Sequence, residues 1–180
     1  MTKALVFVRV GLGSLLALAA FACQRTAASD VEMRSGEPSL SHAFETPEEL
    51  GRAVVDGLVR GDADALKELP LSKDEFRLFV WPRLPSSKPE RGIPFEYAWG
   101  ELDQKSRASI ARTYSRYKGK ELTFLAIRFA GDTTDYDSFK VHRDARVQVR
   151  LADGTEDWLD LFGSVMEWRG RYKLFSYVTD

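Results

Sequence analysis

Two spacings divide the chain. From residue 46 to residue 117 apolar side chains recur with helical period, and after Gly119 they recur in twos. Thr46-Pro47-Glu48-Glu49 sets an N-cap threonine before a proline at the first helical position, with a glutamate three residues after the cap. Leu50, Ala53, Val54 and Leu58 then share a stripe, and Gly61 is placed to end the helix in the left-handed conformation. Asp62 predicts the cap of a short second helix through Leu66 and Leu69, ending before Pro70. Ser72-Lys73-Asp74-Glu75 repeats the cap-to-glutamate spacing and opens a helix carrying Phe76, Phe79 and Val80, closed by Trp81-Pro82.

Four prolines in residues 82–94 predict an extended loop without regular structure. The next helix is predicted over 94–117, with Ala98, Leu102, Ser106, Ile110, Tyr114 and Tyr117 near one stripe and Gly100 weakening its first turns. Four strands follow at 122–130, 139–151, 158–168 and 172–178, joined through Asp153-Gly154 and Arg169-Gly170 turns. In the second strand Phe139, Val141, Ala145, Val147, Val149 and Leu151 alternate with Lys140, His142, Asp144, Arg146, Gln148 and Arg150, which predicts one buried and one polar face. Helices followed by an antiparallel meander define the α+β class.

Ahead of residue 46 the chain is of another kind. Lys3 and Arg9 supply positive charge, Val10 to Ala19 an apolar stretch, and Ala20-Phe21-Ala22 small residues at the two positions a signal peptidase reads. A membrane-spanning helix needs about 20 apolar residues, and the run after Arg9 is shorter, so residues 1–22 are expected to be a cleaved signal peptide. Cys23 follows at once. Ala20-Phe21-Ala22-Cys23 resembles a bacterial lipoprotein box, with Ala22 and Cys23 fitting and Ala20 and Phe21 departing from the usual leucine and small residue. The resemblance implies a diacylglyceryl group on Cys23 and a lipid anchor in the cell envelope. In a Gram-negative host, Gln24 resembles the pattern that permits sorting to the outer membrane. The alternative is plain cleavage to a soluble exported form. Residues 24–45 are small, polar and aperiodic, with one Gly-Glu-Pro break, and predict a flexible tether that includes His42.

Loss of residues 1–22 removes Lys3 and Arg9 and no acid, which moves the formal net charge from −1 to −3. That balance lacks the basic excess of a nucleic-acid-binding surface. Cys23 is the single cysteine, which excludes an intramolecular disulfide and any thiolate zinc site. The absence of asparagine excludes N-glycosylation.

The helix-then-meander order, and above all Gly163-Ser164-Val165-Met166-Glu167-Trp168-Arg169-Gly170-Arg171-Tyr172-Lys173-Leu174, resembles the cystatin-like, NTF2-like superfamily and uncharacterised bacterial lipoproteins. For residues 46–180 the resemblance implies helices packed on a curved four-stranded antiparallel sheet, a cone with a pocket at its mouth. It implies no particular chemistry.

Chemistry is thinly signalled. His142-Arg143-Asp144 has the letters of a kinase catalytic loop, but no Leu follows and no Asn exists to hold a second metal. His142 and Asp144, two apart on a strand, suit a carboxylate-oriented general base, whereas a solvated face explains the same residues. NTF2-like isomerases pair an acidic base with a tyrosine donor, for which Asp144 or Asp160 and Tyr97, Tyr114, Tyr117, Tyr172 or Tyr177 are available. Arg60-Gly61-Asp62 reads as a helix end and the next cap. Two histidines a hundred residues apart offer no metal-ligand spacing, and no cofactor motif is present. Trp81, Trp99, Phe95 and Tyr97 form the densest aromatic region, either a lid over the core or a patch that meets a partner. The expectation is a non-enzymatic module that binds a small apolar ligand or an envelope protein through Trp81, Tyr97, Trp99 and Tyr117. The alternative is a small isomerase, lyase or hydrolase using His142 with Asp144 or a tyrosine such as Tyr114.

Overall fold

A computed structural model describes residues 39–179. The signal peptide, Cys23 and most of the predicted tether lie outside the described residues.

Helix α1 spans Pro47–Arg60 as its capping signals require: Thr46 accepts from the Glu49 amide, and Gly61 closes the helix at φ 66°. Such a positive φ costs a glycine little and most other residues about 1–2 kcal/mol. Asp62 accepts from the Ala65 amide and caps α2, Ala63–Glu68. At Ser72 the full capping box forms and opens α3, Lys73–Glu75. The helix continues in wider π-form over Phe76–Val80 before Trp81. The loop predicted to lack regular structure is instead a series of short 3₁₀ turns, Trp81–Arg83, Pro85–Ser87 and Pro89–Arg91. Each carries a proline in its opening positions, where the ring's fixed φ suits a helical turn and its missing N–H leaves no bond unmade. Helix α4 spans Phe95–Tyr117.

The predicted meander appears as seven strands in two antiparallel sheets, not as one four-stranded sheet. Strands β1 (Leu122–Phe129), β4 (Ala145–Leu151) and β5 (Glu156–Leu159) form one, ordered β1-β4-β5. Strands β2 (Thr133–Asp135), β3 (Lys140–His142), β6 (Ser164–Trp168) and β7 (Arg171–Ser176) form the other, ordered β2-β3-β6-β7. The predicted second strand is cut into β3 and β4 at Arg143-Asp144, and the third into β5 and β6 at residues 160–163. Asp144 takes φ 53°, a left-handed conformation that ends a ladder but that a short polar side chain tolerates. Arg169 and Gly170, at φ 51° and 72°, make the predicted β6–β7 turn with both central residues at positive φ.

The faces of the second sheet are buried by different helices. Val165 and Leu174 join Leu50, Val54 and Leu58 of α1, together with Val147 and Val149 of β4, in one core. On the opposite face Val141 and Met166 join Phe76 and Val80, with Trp99 and Phe175 packed against them. The folded unit begins at Ser39 rather than at Thr46. Phe44 and Tyr172 exchange backbone hydrogen bonds of 2.8 Å in both directions, and Leu40 packs against the second core. Residues 39–45 are therefore a strap on the domain and not tether. Among the described residues no helix is long and apolar enough to cross a membrane.

Candidate functional site

Helices α2 and α4 flank an open cleft of about 890 Å³. Leu66 of α2, Ile110 and Tyr114 of α4, and Leu71 and Tyr177 give it apolar walls, and Ser41 and His42 of the strap close one end. That volume is in the range of small-molecule sites, which are largely apolar with a few polar groups. Hydrogen bonds fix the walls. Tyr114 Oη donates to the Gly61 carbonyl at 2.7 Å and braces α4 against the end of α1, while Tyr177 Oη donates to the Leu66 carbonyl at 2.7 Å. Burial raises the Tyr177 phenol well above its ordinary value, so it remains a donor. Ser106 accepts from the Tyr177 amide at 3.1 Å, a bond that lets the helix approach the end of β7 closely.

The strap is fixed by a buried charge. Lys173 is 0% exposed, and its Nζ donates to the Ser41 carbonyl at 2.7 Å with Glu75 at 3.7 Å. The Glu75 carboxylate accepts from the Ser41 amide at 2.7 Å, the Ser41 hydroxyl at 2.9 Å and the Ser72 amide at 2.8 Å. Burial acts to raise the Glu75 carboxyl, but the Ser72 and Ser41 hydrogen bonds and the Lys173 charge together hold it below its ordinary value. Burial pushes the Lys173 ammonium down, opposed by Glu75.

A second constellation surrounds His142. Its Nδ1 lies 2.9 Å from Thr133 Oγ1 and its Nε2 2.9 Å from Glu167 Oε2. The ring stacks on Phe129 at 4.7 Å, and the side chain is 15% exposed. Thr133 stands directly opposite His142 across β2 and β3, which accounts for their contact. Tyr172 lies beside the ring at 6.4 Å between centroids, and burial together with the charges of Glu167 and Glu48 raises its phenol.

The expected partnership of His142 with Asp144 is not made. Alternation breaks between them, so His142 shares a side with Val165 and the α1 core, while Arg146, Gln148 and Arg150 face the other way. The six polar residues read as one face thus lie on two. Arg146 binds Asp160 at 2.8 Å and Arg150 binds Glu156 at 2.8 Å, which places Asp160 in a surface ion pair.

The aromatic residues also separate. Trp81, Phe95 and Trp99 surround Phe76 at 5.5 to 6.4 Å between ring centroids and cover the second core, while Trp99 also reaches the cleft. Tyr97 points away from them and is 63% exposed. Tyr117 packs on the first core, with Arg116 and Lys120 over its ring. Of the expected site residues, Trp99, Tyr114 and Tyr177 line the cleft.

Sequence reasoning missed Thr133, Glu167, Glu75 and the strap. Lys173 carried a readable signal, since its alternation with Phe175 places it on a buried face. From sequence Glu75 shows only its capping role. Among the described residues no group of three or more His, Cys, Asp or Glu is placed to hold a metal ion. Compared with known proteins, the chain matches no protein-family model, no curated relative and no solved structure.

Proposed function

We propose that the chain is an exported, non-enzymatic binding module of the bacterial envelope, held to a membrane by a lipid on Cys23, whose α2–α4 cleft receives a small apolar ligand. The carrying observation is the cleft itself, an apolar concavity with fixed walls. Export and anchoring rest on residues 1–23, and the NTF2-like assignment on the order of helices and antiparallel strands. Intact and native mass spectrometry of protein purified from its own membrane tests both parts. A mature mass beginning at Cys23 plus acyl chains, lost in Cys23→Ala, supports the anchor. A small molecule retained by the folded protein supports the cleft, and a bare protein that no apolar probe stabilises against heat sinks that reading.

A second reading is favoured by the hydroxyl–imidazole–carboxylate row Thr133–His142–Glu167. A base in contact with both a hydroxyl and an orienting carboxylate is the arrangement of nucleophilic hydrolases. Labelling of Thr133 by a hydroxyl-directed acylating or phosphonylating probe, abolished in Glu167→Gln at unchanged melting temperature, would establish it. Equal labelling of the denatured chain would dismiss it.

A further inference from the structure

The cleft is long and uneven. It follows α4 from Trp99 to Tyr114, a run of about 22 Å at about 1.5 Å per residue. Around Tyr114 its lining is apolar: Ala63 and Leu66 on α2 face Ile110 and Ala111 on α4. Toward Trp99 the lining turns ionic, with Lys73, Arg107, Asp103, Glu68 and His42, and with Lys67 at the boundary.

The cations at that end are held in surface ion pairs. Lys67 and Lys73 are paired with Asp64 and Glu96, neither of which lines the cleft, and Arg107 is paired with Asp103, which does. These pairs are exposed, Arg107 to 78% of its side chain. Exposed pairs contribute only about 0–1 kcal/mol, so the cations can turn to a ligand at small cost. An extended groove, apolar at one end and offering the exchangeable cations Lys73 and Arg107 at the other, matches a molecule with an apolar chain and an anionic head.

We infer that the cleft takes a single-chain amphiphile with an anionic head, its chain between Leu66, Ile110 and Tyr114 and its head beside Lys73 and Arg107. This rests on the reading of the cleft as a site for a small apolar ligand and names the class of that ligand. Free fatty acids and single-chain phospholipids share the chemistry.

Isothermal titration of the full chain with dodecanoate, dodecanol and dodecylamine, below their aggregation concentrations, separates the contributions. The expected order is dodecanoate first, tighter than dodecanol by about tenfold or more, as one charge-assisted hydrogen bond provides. Arg107→Gln combined with Lys73→Gln removes that advantage and leaves dodecanol unchanged. Ala111→Trp, an exposed position on the apolar half of the wall, abolishes binding of both.

Two other outcomes overturn the inference in different ways. If dodecanol or dodecylamine binds as tightly as dodecanoate, the anionic head is wrong and the apolar cleft stands. If no chain binds to protein that melts cooperatively, both the head and the apolar cleft are wrong. Dodecanoate that binds Ala111→Trp undiminished sits elsewhere and overturns the assignment of the site.

Discussion

Lys173 places its ammonium 3.7 Å from the Glu75 carboxylate with both side chains shut from water, and both groups hold Ser41. A buried ion pair is weak evidence for stability, since hydrophobic replacements of both partners are often neutral or better. Its effect here is positional: it fixes the strap, and with it Ser41 and His42 at the end of the cleft.

Removing one partner leaves the other charge buried alone. Lys173→Met is expected to cost about 3–5 kcal/mol of unfolding free energy, and Lys173→Met with Glu75→Leu should recover much of that. Urea denaturation of both variants checks it. A single-variant loss below about 1 kcal/mol would show that water reaches the pair.

Glu75 also gives the fold a pH dependence of known sign. Its carboxyl is held below its ordinary value in the folded chain, so the folded state binds that proton less readily than the unfolded state does. The contribution is complete above about pH 5 and is lost as pH falls through the folded value. Stability of the parent should fall more steeply on acidification below that point than stability of Glu75→Gln. The exposed carboxyls of Asp64, Glu96 and Asp153, also held low, by Lys67, Lys73 and Thr155 respectively, contribute equally to both proteins. Identical slopes would remove Glu75 from the account.

Gly163 lies where the chain passes from β5 to β6, and a methyl group there would collide with the Val178 carbonyl. Backbone cannot swing aside as a side chain does, so Gly163→Ala should cost about 3 kcal/mol or more. At Gly57 the added carbon would meet the Leu66 side chain at 2.7 Å, which can yield. Gly57→Ala should therefore cost less than Gly163→Ala, and thermal melts of the two settle the order.

Asp144 tests the chain break. At φ 53° a glycine relieves strain, whereas a β-branched residue cannot be accommodated. Asp144→Gly should be neutral or stabilising by up to about 1 kcal/mol, and Asp144→Val destabilising by about 1–3 kcal/mol. Equal effects would mean that the Asp144 side chain, not its backbone, holds the break.

What the sequence made legible follows from range. Thr46, Gly61, Asp62 and Ser72 act on backbone within a few residues, and each performs as its motif requires. Glu75 was legible as a cap for the same reason. Its partners Ser41 and Lys173 stand 34 residues before it and far after it in the chain, and no local pattern announces them. The separation of His142 from Asp144 has a different origin. In sequence the alternation runs unbroken across Arg143-Asp144, where no glycine or proline marks a break, but one left-handed aspartate reverses every face beyond it. The cleft was invisible because its walls, α2 and α4, meet only through tertiary packing.

That reversal also makes the middle strand a counting device. It moves between its inward-facing positions His142 and Ala145 by an odd step, while its neighbours move from Phe129 to Thr133 and from Leu159 to Val165 by even ones. One residue inserted or deleted there would re-phase the chain and send Val147 and Val149 toward solvent in exchange for Arg146 and Gln148. The tip at Asp153-Gly154, which lies outside any ladder, has no phase to lose. Length variation in this domain should therefore be permitted at the hairpin tip and forbidden, to the single residue, at Arg143-Asp144.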